Sequence, residues 1–221
     1  MKEISADEVR VLAALVEKEL STPEVYPLSL NALTNACNQK SNRLPVVNYE
    51  PEQVKQLVEG LCAKTLAMAS DVPGSRVRKY RHFFTDRFKF VPGEAALLCE
   101  LMLRGPQTLG ELRGHASRLH PFPDLASVEH HIKNLLEVSP PWIVILPVQL
   151  GRKEPRYMHT LMGIPDPESW REAGESEERS GSAAGGGLAV RVNQLEEEVA
   201  VLRAELQELR EALQSFQEQF E

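Results

Sequence analysis

The chain has 221 residues, 42% of them hydrophobic and 26% charged, a globular composition for one or two domains. Its net charge of −7 is uneven: residues 1–165 hold 20 Lys/Arg against 18 Asp/Glu, and residues 166–221 hold 5 against 14. The longest apolar runs, such as residues 142–146, fall far short of the ~20 residues a membrane span needs, and the start of the chain is too polar for a signal peptide.

A cytoplasmic protein with no membrane partner is therefore expected. Three cysteines, Cys37, Cys62 and Cys99, are too few and too scattered for a disulfide framework. The near-neutral body neither excludes nucleic acid nor argues for it.

In chain order, Ser5 and Glu8 form a capping box ahead of Val9, Leu12, Val16 and Leu20, which recur at helical spacing. Ser29 caps a second helix through Leu30, Leu33 and Ala36. Pro51 opens a third, carrying Val54, Leu57, Val58 and Leu61. Two extended runs, residues 66–70 and 76–84, flank Pro73-Gly74 and read as a β-hairpin. The same order then repeats at a period of roughly 75 residues. A helix at 94–103 stops at Gly105-Pro106, Thr108 and Glu111 box the next, and Asp124 opens a third. Residues 142–148 and 156–161 form a second hairpin around Gly151. The hairpins share a local text, Lys79-Tyr80-Arg81-His82 and Arg156-Tyr157-Met158-His159.

Three helices followed by a hairpin is the winged-helix order. The expected fold class is mostly α with small β-hairpins (α+β), as two tandem winged helices at 1–90 and 91–165. Residues 166–187, acidic and Gly/Ser-rich, read as a flexible linker. Leu188, Val192, Leu195, Val199, Leu202, Leu206, Leu209 and Leu213 then follow an unbroken heptad, continued by Phe216 and Phe220. Val at early a positions, Leu at d, and g–e pairs of opposite sign (Arg191 with Glu196, Glu198 with Arg203, Glu205 with Arg210) predict a parallel coiled-coil homodimer over 188–221. The plainer alternative is an amphipathic helix docked on the body.

Four stretches make the text familiar: residues 15–31, residues 35–43 (Asn-Ala-Cys-Asn-Gln-Lys-Ser-Asn-Arg), residues 104–113 (Arg-Gly-Pro-Gln-Thr-Leu-Gly-Glu-Leu-Arg) and residues 156–159. They resemble the bacterial YceH-like family of uncharacterised proteins over about residues 1–163. The resemblance implies tandem winged helices and carries no biochemical activity. Against the usual family pattern, the heptad tail looks like an addition.

The candidate DNA-contacting residues lie in two kinds of place. Asn38, Gln39, Lys40, Asn42 and Arg43 fill the turn between the second and third helices, where Asn and Gln can read adenine edges and Lys and Arg can hold phosphates. The same residue types also cap helices and satisfy turns, so a structural role stands beside the functional one. Arg76, Arg78, Lys79 and Arg81 on the first hairpin, and Arg152, Lys153 and Arg156 on the second, suit a phosphate backbone or minor groove. Alternatively, such charges guard an edge strand against aggregation. The third helices are mixed in charge (Glu52, Lys55, Glu59; Glu129, Lys133, Glu137), a poor major-groove probe.

No catalytic motif appears, so an enzyme is not expected, nor a cofactor. Glu111, His115 and His120 could offer metal ligands but read more simply as a solvated helix face. Cys37, near Lys40, has the one setting that could lower a thiol pKa. Two readings follow. One is a dimeric DNA-binding regulator. The other is an adaptor that docks a protein partner, because winged helices serve both uses. A positive face joining the 38–43 turn to the first hairpin favours DNA, and an exposed apolar patch there favours protein.

Overall fold

Ser5 starts the first helix as its sequence demands. Its hydroxyl accepts from the Glu8 N–H at 3.2 Å while the Glu8 carboxylate accepts from the Ser5 N–H at 2.9 Å. The structure, a computed structural model, describes residues 4–70, 77–149 and 152–164. The hairpin tip at 71–76, including Arg76, the linker at 166–187 and every heptad position of 188–221 lie outside the described residues.

Helix α1 (Ala6–Ser21) is followed by a two-residue strand β1 (Leu28–Ser29), α2 (Leu30–Cys37), α3 (Pro51–Ala63) and strands β2 (Ala67–Ser70) and β3 (Lys79–His82). Next come α4 (Phe84–Phe88), α5 (Pro92–Arg104), α6 (Leu109–Ala116), α7 (Leu125–Glu137), β4 (Ile143–Leu146) and β5 (Arg156–His159). The result is a mixed α+β architecture with small antiparallel sheets. Local chemistry explains most boundaries. Ser29 accepts from Ala32 N–H, Thr108 and Glu111 form the second capping box, and Asp124 accepts from Ser127 N–H at 2.8 Å. Pro51 begins α3 and Gly105, at φ +76°, ends α5 in a conformation that favours glycine.

Three features depart from the sequence reading. Helix α1 is not a one-sided amphipath: residues 8–17 are buried without a break, because α2 and α3 cover part of it and α5 covers the rest. Helix α5 is enclosed in the same way over residues 95–103, and the Cys99 thiol sits 3.6 Å from the Ala13 carbonyl oxygen. The first hairpin is joined by β1, giving the strand order β1-β3-β2 with Tyr80 opposite both Leu28 and Ala69. A pairing of two residues leaves no alternation to read. The extended run expected through Phe84 stops at His82, and residues 84–88 turn helical. There Phe84 enters the core and meets Phe88, Phe90 and Trp142 with ring centroids 5.1–5.7 Å apart.

The two hairpins share a pairing pattern. In the second hairpin Tyr157 lies opposite Ile145, and Gln107, just ahead of α6, bridges Tyr157 as Leu28 pairs with Tyr80. Tyr80, His82, Tyr157 and His159 all point inward. One apolar core runs through both halves, from Leu12 and Leu33 to Leu98, Leu112 and Ile143. The Ile4 N–H also donates to the Leu161 carbonyl at 3.0 Å, tying the start of the described chain to its end. No helix among the described residues is long and apolar enough to cross a membrane.

Candidate nucleic-acid interface

The turn between α2 and α3 is built by its own polar side chains. Asn38 acts as a two-pronged brace, donating from Nδ2 to the Tyr49 carbonyl and accepting on Oδ1 from the Tyr49 N–H, both at 2.8 Å. Gln39 Oε1 accepts from Arg43 Nη2 at 2.8 Å. Asn42, at φ +59°, turns its carbonyl toward Arg43 Nη1 at 2.9 Å and its side-chain oxygen toward Arg104 Nη2.

Arg43 is buried. It donates to the Ala36 carbonyl and makes a two-pronged ion pair with Glu17. Of the five turn residues expected to face DNA, Lys40 alone is exposed with its charge unpaired by any described residue. The physical reason is Glu17. A carboxylate buried on α1 needs a cation, and Arg43 supplies it. Burial works against the charged form of Glu17, but the Arg43 hydrogen bonds and charge, with Arg118, outweigh it and hold the carboxyl below its usual range.

The hairpins differ from the turn. Along β3, Tyr80 and His82 face inward, so Lys79 and Arg81 face outward. Arg78 is exposed just ahead of them. Arg81 is partly neutralised, lying 3.7 Å from Asp86 and 4.8 Å above the Phe83 ring. On the second hairpin Arg152 and Lys153 are exposed. Arg156 is committed: it donates to the Pro106 carbonyl at 2.8 Å and pairs with Glu111 at 3.1 Å. Arg78, Lys79, Arg152 and Lys153 make no ion pair with a described residue. Strand β3 is paired along its length by β2 and by β1 at Lys79 and Tyr80, so Lys79 guards no edge. The free edge belongs to β2, whose Ala-Met-Ala-Ser text carries no charge.

The metal and thiol options find little support in the geometry. Glu111 serves the capping box and Arg156, His115 Nδ1 lies 2.6 Å from Gln107 Oε1, and His120 stacks against Phe122. Among the described residues no group of three or more His, Cys, Asp or Glu is placed to hold a metal ion. Burial pushes the Cys37 thiol up to about 12, the reverse of the lowering that Lys40 suggested. Cys99 is also raised by burial.

The sequence reading passed over Glu17, Glu100, Arg104 and Arg118, which form a connected network of buried and half-buried ion pairs. Arg118 Nη2 reaches Glu17 Oε1 at 2.8 Å and Glu100 Oε1 at 2.6 Å, and Arg104 Nε reaches Glu100 Oε2 at 3.1 Å. One signal was available. Glu100 interrupts otherwise apolar helical text between Cys99 and Leu101, whereas Glu17 opens the charged run Glu17-Lys18-Glu19 and stands out from nothing.

Comparison with known proteins extends beyond the body. Residues 4–152 match the family model described as "Protein of unknown function, DUF480". A UPF0502 protein of Geobacter sulfurreducens is 51% identical over 219 residues, covering 97% of this chain and 96% of that protein. One from Pelobacter propionicus is 49% identical over 97% of this chain and 96% of its own length, and one from Azoarcus is 44% identical over 97% and 92%. The family model ends ahead of the heptad segment, whereas these relatives align across nearly the whole chain. A tail of this length is therefore shared with them rather than added here.

Proposed function

The chain belongs to the DUF480, or UPF0502, family of uncharacterised bacterial proteins, and we propose that it is a dimeric tandem winged-helix regulator that grips the DNA backbone through its hairpins. Each half runs helix, helix, helix, hairpin, with a short extra pairing ahead of its second helix, as a winged helix does. The heptad positions from Leu188 to Leu213 supply the pairing of two chains. Two linked bodies then raise the effective concentration of the second at a site already held by the first.

The observation that carries the reading is that Arg78, Lys79, Arg152 and Lys153, on or beside the two hairpins, make no ion pair with any described residue. By contrast, Arg43 in the turn and Arg156 on the second hairpin have carboxylate partners. Phosphate contacts of this kind give affinity without base reading. Helix α3 adds little, because Lys55 pairs with Glu52 on its exposed face. The test is duplex binding across a salt series for the full chain and for Arg78→Ala/Lys79→Ala and Arg152→Ala/Lys153→Ala. The logarithmic salt slope is expected to fall by about 0.9 for each phosphate contact removed. An unchanged slope in both variants rejects the phosphate role. Sequencing of genomic fragments retained at two salt concentrations then separates a motif reader from a general backbone binder.

A second reading, docking of a protein partner, is favoured by one observation. The turn that hides its polar groups leaves Leu44 68% and Val46 54% exposed. Loss of binding to DNA at every salt concentration moves the assignment to that surface.

A further inference from the structure

We infer that the 38–43 turn is a clamp that locks the two helical halves into one rigid body and so fixes the separation of the two basic hairpins. The inference goes beyond the DNA reading and does not depend on it.

The clamp is a closed circuit. Arg43 grips Glu17, Arg118 bridges Glu17 to Glu100, and Arg104 carries the path from Glu100 to Asn42. The Asn42 carbonyl then accepts from Arg43 Nη1, returning to the start. Guanidinium donors alternate around it with acceptors, the Glu17 and Glu100 carboxylates and the neutral oxygens of Asn42. Glu17, Asn42 and Arg43 come from the first half; Glu100, Arg104 and Arg118 come from the second. Two links therefore cross between halves, Glu17 to Arg118 and Asn42 to Arg104. A backbone bond beside them, Leu44 N–H to the Leu103 carbonyl at 2.9 Å, crosses as well.

The side chains of Glu17 and Glu100 are 1% and 0% exposed. Carboxylates buried so deeply are tolerated only when directional partners surround them, and directionality is what an apolar seam lacks. Helices α1 and α5 pack together, with the Cys99 thiol against the Ala13 carbonyl, and their buried residues are mainly small and aliphatic, Ala13, Ala14, Ala96 and Leu97 among them, which form no directional contacts. The circuit selects one register, because sliding α1 by one turn breaks the Glu17–Arg118 link and sliding α5 breaks the Asn42–Arg104 link. This gives the polar turn a purpose that base reading did not supply. Its Asn42 side chain addresses the other half of the same chain, and its Arg43 holds the Glu17 carboxylate that Arg118 of the other half reaches.

The experiment is a spin-label distance measurement on the full chain. Labels are placed at Lys79→Cys and Lys153→Cys in a Cys62→Ser background, and the labelled protein is diluted into a large excess of unlabelled protein so that each dimer carries one labelled chain. The expected result is a narrow distribution in the parent, at least about twofold broader after Arg118→Ala combined with Asn42→Ala. These substitutions cut both crossing side-chain links and leave the Arg43–Glu17 pair intact. Arg118→Met removes the charge that joins both carboxylates while keeping an unbranched side chain in its place. It is expected to broaden the distribution as well, and it serves if the double variant fails to fold. An unchanged width in a folded clamp variant overturns the inference. Because the distance is read without DNA, that outcome is distinct from failure of the hairpins to bind phosphate.

Discussion

The two hairpins occupy matching places in the two halves, and their inward histidines meet different surroundings. His82 lies opposite Ala67 with its Nε2 2.7 Å from a Glu19 carboxylate oxygen. His159 lies opposite Ile143, and its Nδ1 accepts the Leu161 N–H at 3.3 Å. Beside His82, Glu19 is held below the usual carboxylate range, by their hydrogen bond first and despite burial. Burial alone drives His159 down to about 4. A repeated backbone therefore fixes where a side chain goes, while its neighbours decide what it meets there. The same contrast separates Arg43, which is consumed inside the body, from Lys79 and Lys153 on the hairpins.

The hardest break in that contrast is at Glu17. Glu17→Ala leaves the Arg43 guanidinium buried without its carboxylate and is expected to cost about 3–5 kcal/mol, read from urea denaturation at pH 7. A loss under 1 kcal/mol means the neighbouring groups rearrange and the pair is not structurally demanding.

Next in size is the pH response. The folded protein holds His159 neutral, so its contribution is complete above the unfolded pKa near 6.5. It declines as pH falls from there toward about 4, for a total on the order of 3 kcal/mol. His159→Leu is expected to flatten the stability profile in that window. Glu17 acts lower. Its depressed carboxyl gives stability that is present above the ordinary carboxylate pKa and is lost as pH falls through the folded value. Two separate declines are therefore expected, and only the upper one disappears in His159→Leu.

The smallest effects sharpen the division between committed and free cations. Arg156→Ala removes a partly exposed pair with Glu111 and is expected to lower stability by about 0.5–1 kcal/mol. Arg152→Ala is expected to leave the urea midpoint within about 0.5 kcal/mol of the parent while lowering the salt dependence of DNA binding. The reverse pattern in the two variants undoes the assignment of their roles.

What could be read from the sequence was local. Ser5, Ser29, Thr108 and Asp124 announce their helices because a cap is satisfied within three residues, and both hairpins lie within the runs that predicted them. Strand β1 was invisible because two residues acquire strand geometry only from their partner. Helix α4 was invisible because Phe84 is placed by Trp142, fifty-eight positions away in the chain. The candidate site suffered in the same way. Asn42 and Arg43 look like solvent-facing turn residues until Arg104, 62 residues on, and Glu17, 26 residues back, are brought beside them. Residue type gave the chemistry, and tertiary contact chose the addressee.

The enclosure of α1 bears on how the protein is made. Its apolar circumference is complete only when α5 arrives, and the backbone bond from Ile4 awaits Leu161 near the end of the body. A ribosome adding about 5–20 residues per second leaves the finished first helix with an uncovered side for seconds. The nascent chain then presents Ala13, Ala14 and the buried Glu17 to water or to a chaperone. Folding of this protein is thus tied to translation reaching its second half, and stalling between the halves exposes the surface that the mature molecule hides most completely.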